Sequence, residues 1–169
     1  MVSADIHTVN AEDGTALAYC ATPVQASEAD TPTMQTRAPK PGVVFLGGFM
    51  SDMTGQKATV LEAWARATGR AFLRLDYSGH GASGGAFRDG TIGRWRDDAL
   101  TVIRHAGTTV PGLDGNLVLV GSSMGGWIVT LVAKALNGDA AGTQNAAGLV
   151  TIAAAADFTE DLLPARLGP

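Results

Sequence analysis

A serine framed by two glycines, Gly121-Ser122-Ser123-Met124-Gly125, stands between an apolar run and an apolar-periodic segment. A serine hydroxyl can act as a nucleophile when it projects from a sharp strand-to-helix turn whose small neighbours let the backbone pass. Val120-Gly121-Ser122 ends the strand and Met124 opens the helix, so Ser123 is the candidate nucleophile for acyl-transfer chemistry. The ordinary alternative for a serine in this place is a helix N-cap. Gly81-Ala82-Ser83-Gly84-Gly85 has the same spacing, but in a chain with 22 glycines the pattern alone is weak. Ser83 sits in mid-loop, with no helix before Thr91, and reads as a turn residue.

Acyl transfer builds negative charge on the carbonyl oxygen, and that charge needs donors. The helix after Ser123 puts its positive dipole end at the reacting centre, and the Met124 N–H is one expected donor. Leu46-Gly47-Gly48-Phe49-Met50 follows an earlier apolar strand, and its glycines let backbone come close to a substrate. Phe49 N–H is the second expected donor, or Met50 N–H if the register shifts by one. An ordinary glycine turn leading into a helix is the alternative.

A serine also needs a base, since its hydroxyl is almost wholly protonated at neutral pH. No histidine follows Ser123; the three in the chain are His7, His80 and His105. His7 falls on an N-terminal hairpin and His105 near a helix end. His80 lies in a loop at the carboxyl edge of the sheet and is the one replacement base that could be placed there. The carboxylates after Ser123 are Asp139, Asp157, Glu160 and Asp161. Asp157 follows the last apolar strand.

The elements that must position these groups are legible in the pattern. Residues 4–10 and 15–21 read as two strands joined by the turn Ala11-Glu12-Asp13-Gly14. Residues 22–42 carry four prolines and read as an exposed loop. The apolar runs 43–46, 71–75, 117–120 and 148–152 read as strands buried on both faces. Between them, 57–68 reads as a helix packing Ala58, Leu61, Trp64 and Ala65, with Gly69 as its stop. Residues 91–106 read as a second helix and 124–136 as a third. Strands alternating with helices mean right-handed crossovers and a parallel sheet with helices on both faces, after an antiparallel N-terminal hairpin: an α/β fold in one domain.

Bulk properties exclude several classes. The chain has 169 residues, 46% hydrophobic and 17% charged, with a net charge of −4 and its charges interspersed. No basic stripe suits nucleic acid, and no apolar run approaches the ~20 residues of a membrane span. No His, Cys and carboxylate cluster has metal-ligand spacing, and the glycines at 79, 81, 84 and 85 do not open a helix as a dinucleotide loop must. No metal or cofactor is expected. Cys20 is the single cysteine, which fits a reducing compartment. With no signal-peptide pattern at Met1-Val2-Ser3-Ala4-Asp5, the expected address is the cytoplasm.

Three segments together carry a family resemblance: Phe45 to Gly55, Leu75 to Ser83, and Gly121 to Trp127. They resemble the α/β-hydrolase superfamily, and look closest to the bacterial relatives of mitochondrial acyl-protein thioesterases. The resemblance runs from about Ile6 to the end. It implies Ser123 as nucleophile, Phe49 and Met124 as oxyanion donors, and a structural role for the loop from Asp76 to Ser83. Many relatives have histidine where this chain has Gly47. The segment Asp157-Phe158-Thr159-Glu160-Asp161 resembles the entry to a cap region, which argues against Asp157 as the triad acid. The family order of serine, acid, then histidine implies that the cap, the last strands, the acid and the base are missing, as in a C-terminally truncated chain covering the N-terminal part of the fold. The implied function is hydrolysis of carboxylic esters or thioesters of small acyl substrates through an acyl-enzyme on Ser123. The alternative is a non-catalytic fragment or binding module, self-associating through an uncovered sheet edge.

Overall fold

The computed structural model describes residues 5–24 and 39–157. Most of the expected loop over 22–42 lies outside them, as do Glu160 and Asp161. The described chain forms a six-stranded sheet in the order β1-β2-β4-β3-β5-β6. The strands are β1 (His7–Asn10), β2 (Ala16–Thr22), β3 (Gly42–Leu46), β4 (Phe72–Leu75), β5 (Asn116–Ser122) and β6 (Asn145–Ile152). The helices are α1 (Gln56–Ala67), α2 (Ile92–Thr109) and α3 (Met124–Gly138), with a 3-10 turn at Phe87–Asp89.

β1 and β2 form the antiparallel hairpin, closed at Gly14, whose φ of 83° suits glycine. β2 then pairs antiparallel with β4. From β4 through β3 and β5 to β6 every pairing is parallel. Alternation along β3 assigns the two faces. Val44 and Leu46 join the core under α2 and α3, while Val43 and Phe45 join a smaller one with Ala58 and Ala65 of α1.

Local chemistry sets the helix ends. α1 stops where Gly69 takes φ 65°, with Gly69 N–H donating to Arg66 O (3.1 Å) and Arg70 N–H to Ala65 O (2.8 Å). That is a Schellman stop. The Thr91 side chain accepts the Arg94 N–H (3.1 Å) and starts α2.

Two expectations fail in detail. α1 turns Glu62 inward and leaves Trp64 46% exposed. The reason is Arg74, buried on β4: Glu62 Oε2 accepts its Nε–H at 2.9 Å, and Glu62 Oε1 accepts the Thr22 hydroxyl and Arg66. A buried cation demands a carboxylate more strongly than an indole demands burial. Trp64 instead lies under the Arg70 guanidinium, 5.5 Å from the ring centroid.

The last strand is the second failure. The register slips by one between Leu117 and Val118, where β6 carries the extra residue Ala147, and β6 is not buried on both faces. Leu149 and Val150, on opposite faces, are each close to half exposed.

Candidate active site

The carboxyl ends of β3, β4, β5 and β6 share one edge of the sheet, where ligands bind in open α/β folds. Ser123 stands there between β5 and α3 with φ 55° and ψ −122°. Left-handed backbone at a non-glycine residue is strained, and such outliers cluster at functional sites. The flanking glycines are steric requirements. A Cβ at Gly121 would collide with the Gly125 carbonyl, and one at Gly125 with the carbonyl oxygens of Leu46 and Gly47.

Ser123 is exposed, and its side chain makes no helix-capping bond. Its main chain is held firmly. Ser123 N–H donates to Ile152 O (2.9 Å), and Ser123 O accepts Gly126 N–H (2.8 Å) and Ala155 N–H (3.2 Å). The last of these wraps the 153–155 turn around the serine, with Ala153 at φ 48°.

The loop after β3 comes over the serine. A Cβ built at Gly48 would stand 3.2 Å from Ser123 Cβ and 3.8 Å from its Oγ. Phe49 and Met50 follow directly, and Met50 has φ 55° and is 75% exposed. Met124 is the first residue of α3, whose leading N–H groups have no acceptor within the helix. Met124 adjoins Ser123 along the chain, and Phe49 follows the glycine that packs against it.

Beneath the loops lies a polar scaffold; the resemblance implied a structural role for residues 76–83, but none of the individual bonds was read from the sequence. Asp76, just after β4, accepts Met53 N–H (2.7 Å) on one oxygen and Ala82 N–H (2.8 Å) on the other. Burial pushes its carboxyl above the ordinary range, against the pull of those two N–H groups. The Tyr77 hydroxyl donates to Gly47 O (3.2 Å), and Arg74 donates to Met53 O (2.7 Å). Burial also raises the Tyr77 phenol, which keeps it a donor. Asp98 on α2 accepts the Ser78 N–H (2.9 Å) and hydroxyl (2.6 Å), and burial raises its carboxyl too. An acidic residue directly after a buried strand, as Asp76 is, was the available signal.

Ser83 belongs to this scaffold. Its hydroxyl donates to Asp76 O (2.7 Å) and accepts Ala18 N–H (2.8 Å), tying the loop to β2. His80 is buried too. Its Nδ1 lies 3.2 Å from Ser78 O, and its ring meets Tyr77, Phe87 and Trp95 with centroids 5.6, 5.0 and 5.1 Å away. It is packed in an aromatic box rather than presented to Ser123. His7 and His105 bracket the Tyr19 ring on β2, with β4 and β3 between them and β5. Asp139 caps the far end of α3, about 24 Å along the helix from Ser123, and pairs with Arg104 (3.2 Å). Asp157 is exposed beyond the 153–155 turn.

Among the described residues, no group of three or more His, Cys, Asp or Glu could hold a metal ion. No helix among them is long and apolar enough to cross a membrane.

The comparisons with known proteins agree with this architecture. A family model described as "Serine aminopeptidase, S33" matches residues 37–167. The mitochondrial palmitoyl-protein thioesterase ABHD10 of Mus musculus is 38% identical over 117 residues, covering 69% of this chain and 35% of the relative. That of Bos taurus is 35% identical over 134 residues, covering 78% and 40%. The chain thus spans little more than a third of the length of these relatives. Among solved structures, a protein of Agrobacterium vitis S4 described as a hydrolase superposes with a TM-score of 0.79 at 39% identity, covering 98% of this chain and 58% of its own. Alpha/beta hydrolase domain-containing protein 10 from mouse superposes with a TM-score of 0.70 at 32% identity, covering 91% and 51%. The curated relatives are named as mitochondrial, so they lend the expected cytoplasmic address no support. The elbow at Ser123, the sheet order and these matches place the chain in the serine aminopeptidase S33 family of α/β-hydrolases.

Proposed function

We propose that this chain carries the nucleophile and oxyanion hole of a serine hydrolase acting on acyl esters or thioesters. The observation that carries the reading is the backbone of Ser123, left-handed at a strand-to-helix junction, with an exposed hydroxyl that caps nothing. A protein that only needed a turn there would use glycine and avoid the strain.

In this reading Ser123 Oγ attacks the acyl carbonyl carbon and a base takes the hydroxyl proton. The carbonyl π electrons move to oxygen, where the N–H groups of Phe49 and Met124 hold the charge. Collapse expels the alcohol or thiol and leaves an acyl group on Ser123. Water, deprotonated by the same base, then releases the acid. A thiol, with a pKa of ~8.5, leaves with less help from a proton than an alcohol or amine does. This chemistry, together with the thioesterase relatives, favours a thioester.

The base and its acid partner are proposed to come from chain outside the 169 residues. All three histidines present are engaged elsewhere, and the chain spans 35% of the mouse relative. Without a base the 169-residue chain alone is expected to lose a factor of about 10²–10⁴ in rate.

A fluorophosphonate probe tests the nucleophile, with Ser123→Ala as control. Ser123 Oγ–P forms, P–F breaks, and fluoride departs with the serine proton. Labelling of the wild type and not of the variant supports the reading, and its rate measures how much activation this chain contains. Equal labelling of both chains sinks it. A wild type that stays unlabelled even beside the full-length sequence favours the second reading, a non-catalytic binding module.

A further inference from the structure

We propose that Ser51 is a positioning residue for the oxyanion hole, acting through the peptide between Gly48 and Phe49. The inference rests on the reading of Phe49 N–H as an oxyanion donor. Gly48 O accepts two bonds from Ser51, its hydroxyl at 2.7 Å and its N–H at 3.2 Å. The peptide unit is planar and trans, so its carbonyl and its N–H point in opposite directions. Holding Gly48 O toward Ser51 therefore sets the direction of Phe49 N–H. The Gly48 end of the same peptide lies against Ser123, at the 3.2 Å Cβ approach.

The turn needs this support. Gly48 to Ser51 closes with the bond from Ser51 N–H to Gly48 O, and its third residue, Met50, has φ 55°. Phe49 is not among the positive-φ residues, so the turn has the sense of type II, which favours glycine at that third place. A methionine there carries backbone strain. The preceding peptide is anchored separately, by the Tyr77 hydroxyl on Gly47 O. Tyr77 fixes where the loop leaves β3. Ser51 fixes which way the next peptide faces.

The test uses three chains: wild type, Ser51→Ala, and Ser51→Thr, which keeps a hydroxyl in the same place. Two readouts are taken on each. One is the ¹H–¹⁵N resonance of Phe49, which reports the peptide whether or not any chemistry occurs. The other is phosphonylation of Ser123 by the fluorophosphonate, split into kinact and KI. The expectation is a displaced Phe49 resonance in Ser51→Ala and a kinact lower by about ten- to hundredfold, short of removing a donor outright. KI stays within about twofold, and Ser51→Thr returns both readouts toward wild type. An unmoved Phe49 resonance, an unchanged kinact, or a loss confined to KI overturns the proposal. A wild type that is not labelled at all reports the missing base rather than Ser51, and the Phe49 resonance alone then decides whether Ser51 sets the peptide.

Discussion

Two serines with the same glycine spacing have opposite surroundings, and mutation should separate them. Ser83→Ala removes a donor from Asp76 O and an acceptor from Ala18 N–H. It should cost about 1–3 kcal/mol of stability in urea unfolding and leave per-molecule probe labelling intact. Ser123→Ala should change stability by less than about 0.5 kcal/mol and abolish labelling. Gly125→Ala, whose Cβ would strike the carbonyls of Leu46 and Gly47, should fail to give soluble folded chain, read by circular dichroism. The elbow at Ser123 was legible in the sequence because strand, turn and helix are neighbours along the chain. The duties of Asp76, Tyr77 and Ser51 were not. Their partners are loop peptides brought near by folding, and no periodicity encodes them.

At the level of elements, α1 shows how a buried charge overrides an apolar pattern. Glu62 was missed because spacing alone favours Trp64, and the deciding residue, Arg74, lies on another element. Arg74→Ala strips Glu62 Oε2 of its buried partner, leaves only the more exposed Arg66 on Oε1, and should cost about 3 kcal/mol. Trp64→Ala removes a half-exposed ring and its contact with Arg70, and should cost about 1 kcal/mol or less; urea midpoints compare the two. The pH dependence follows from the same group. Burial opposes the charge on Glu62, but Arg66, Thr22 and Arg74 outweigh it and hold the carboxyl below its ordinary 4.5. Its stabilisation is therefore complete above that value and is lost as pH falls through the lower folded value. Glu62→Gln should flatten the acid limb of a thermal-melt series. Asp76 and Asp98, raised by burial, work in the opposite sense: their contribution declines as pH rises from the ordinary 3.8 through the folded value. A Glu62→Gln chain that keeps the wild-type acid limb assigns that limb to other groups.

Across the whole molecule the two sheet edges are unlike. β1 is four residues long and largely polar, a short edge of the kind that resists pairing. β6 is eight residues long with Leu149 and Val150 exposed on opposite faces. A long apolar edge invites another strand. The 169-residue chain should show concentration-dependent association in sedimentation velocity, and Val150→Lys should shift it toward monomer. A wild type that stays monomeric at high concentration removes that expectation. That the strands from β3 to β6 run parallel was readable from alternating apolar runs and helices; their order in the sheet was not. The exposure of β6 was not, because a strand of the same composition is buried or bare according to its neighbours.

The bond from Ser123 N–H to Ile152 O also has a mechanical meaning. Among the described strands, the outermost one grips the main chain of the proposed nucleophile, as the final rung of the ladder it shares with β5. A sideways pull on β6 therefore reaches the serine in one step, with no slack side chain between to absorb it. Any strand docked along that edge would hold a tiller on Ser123, trimming the angle at which its hydroxyl leaves the elbow.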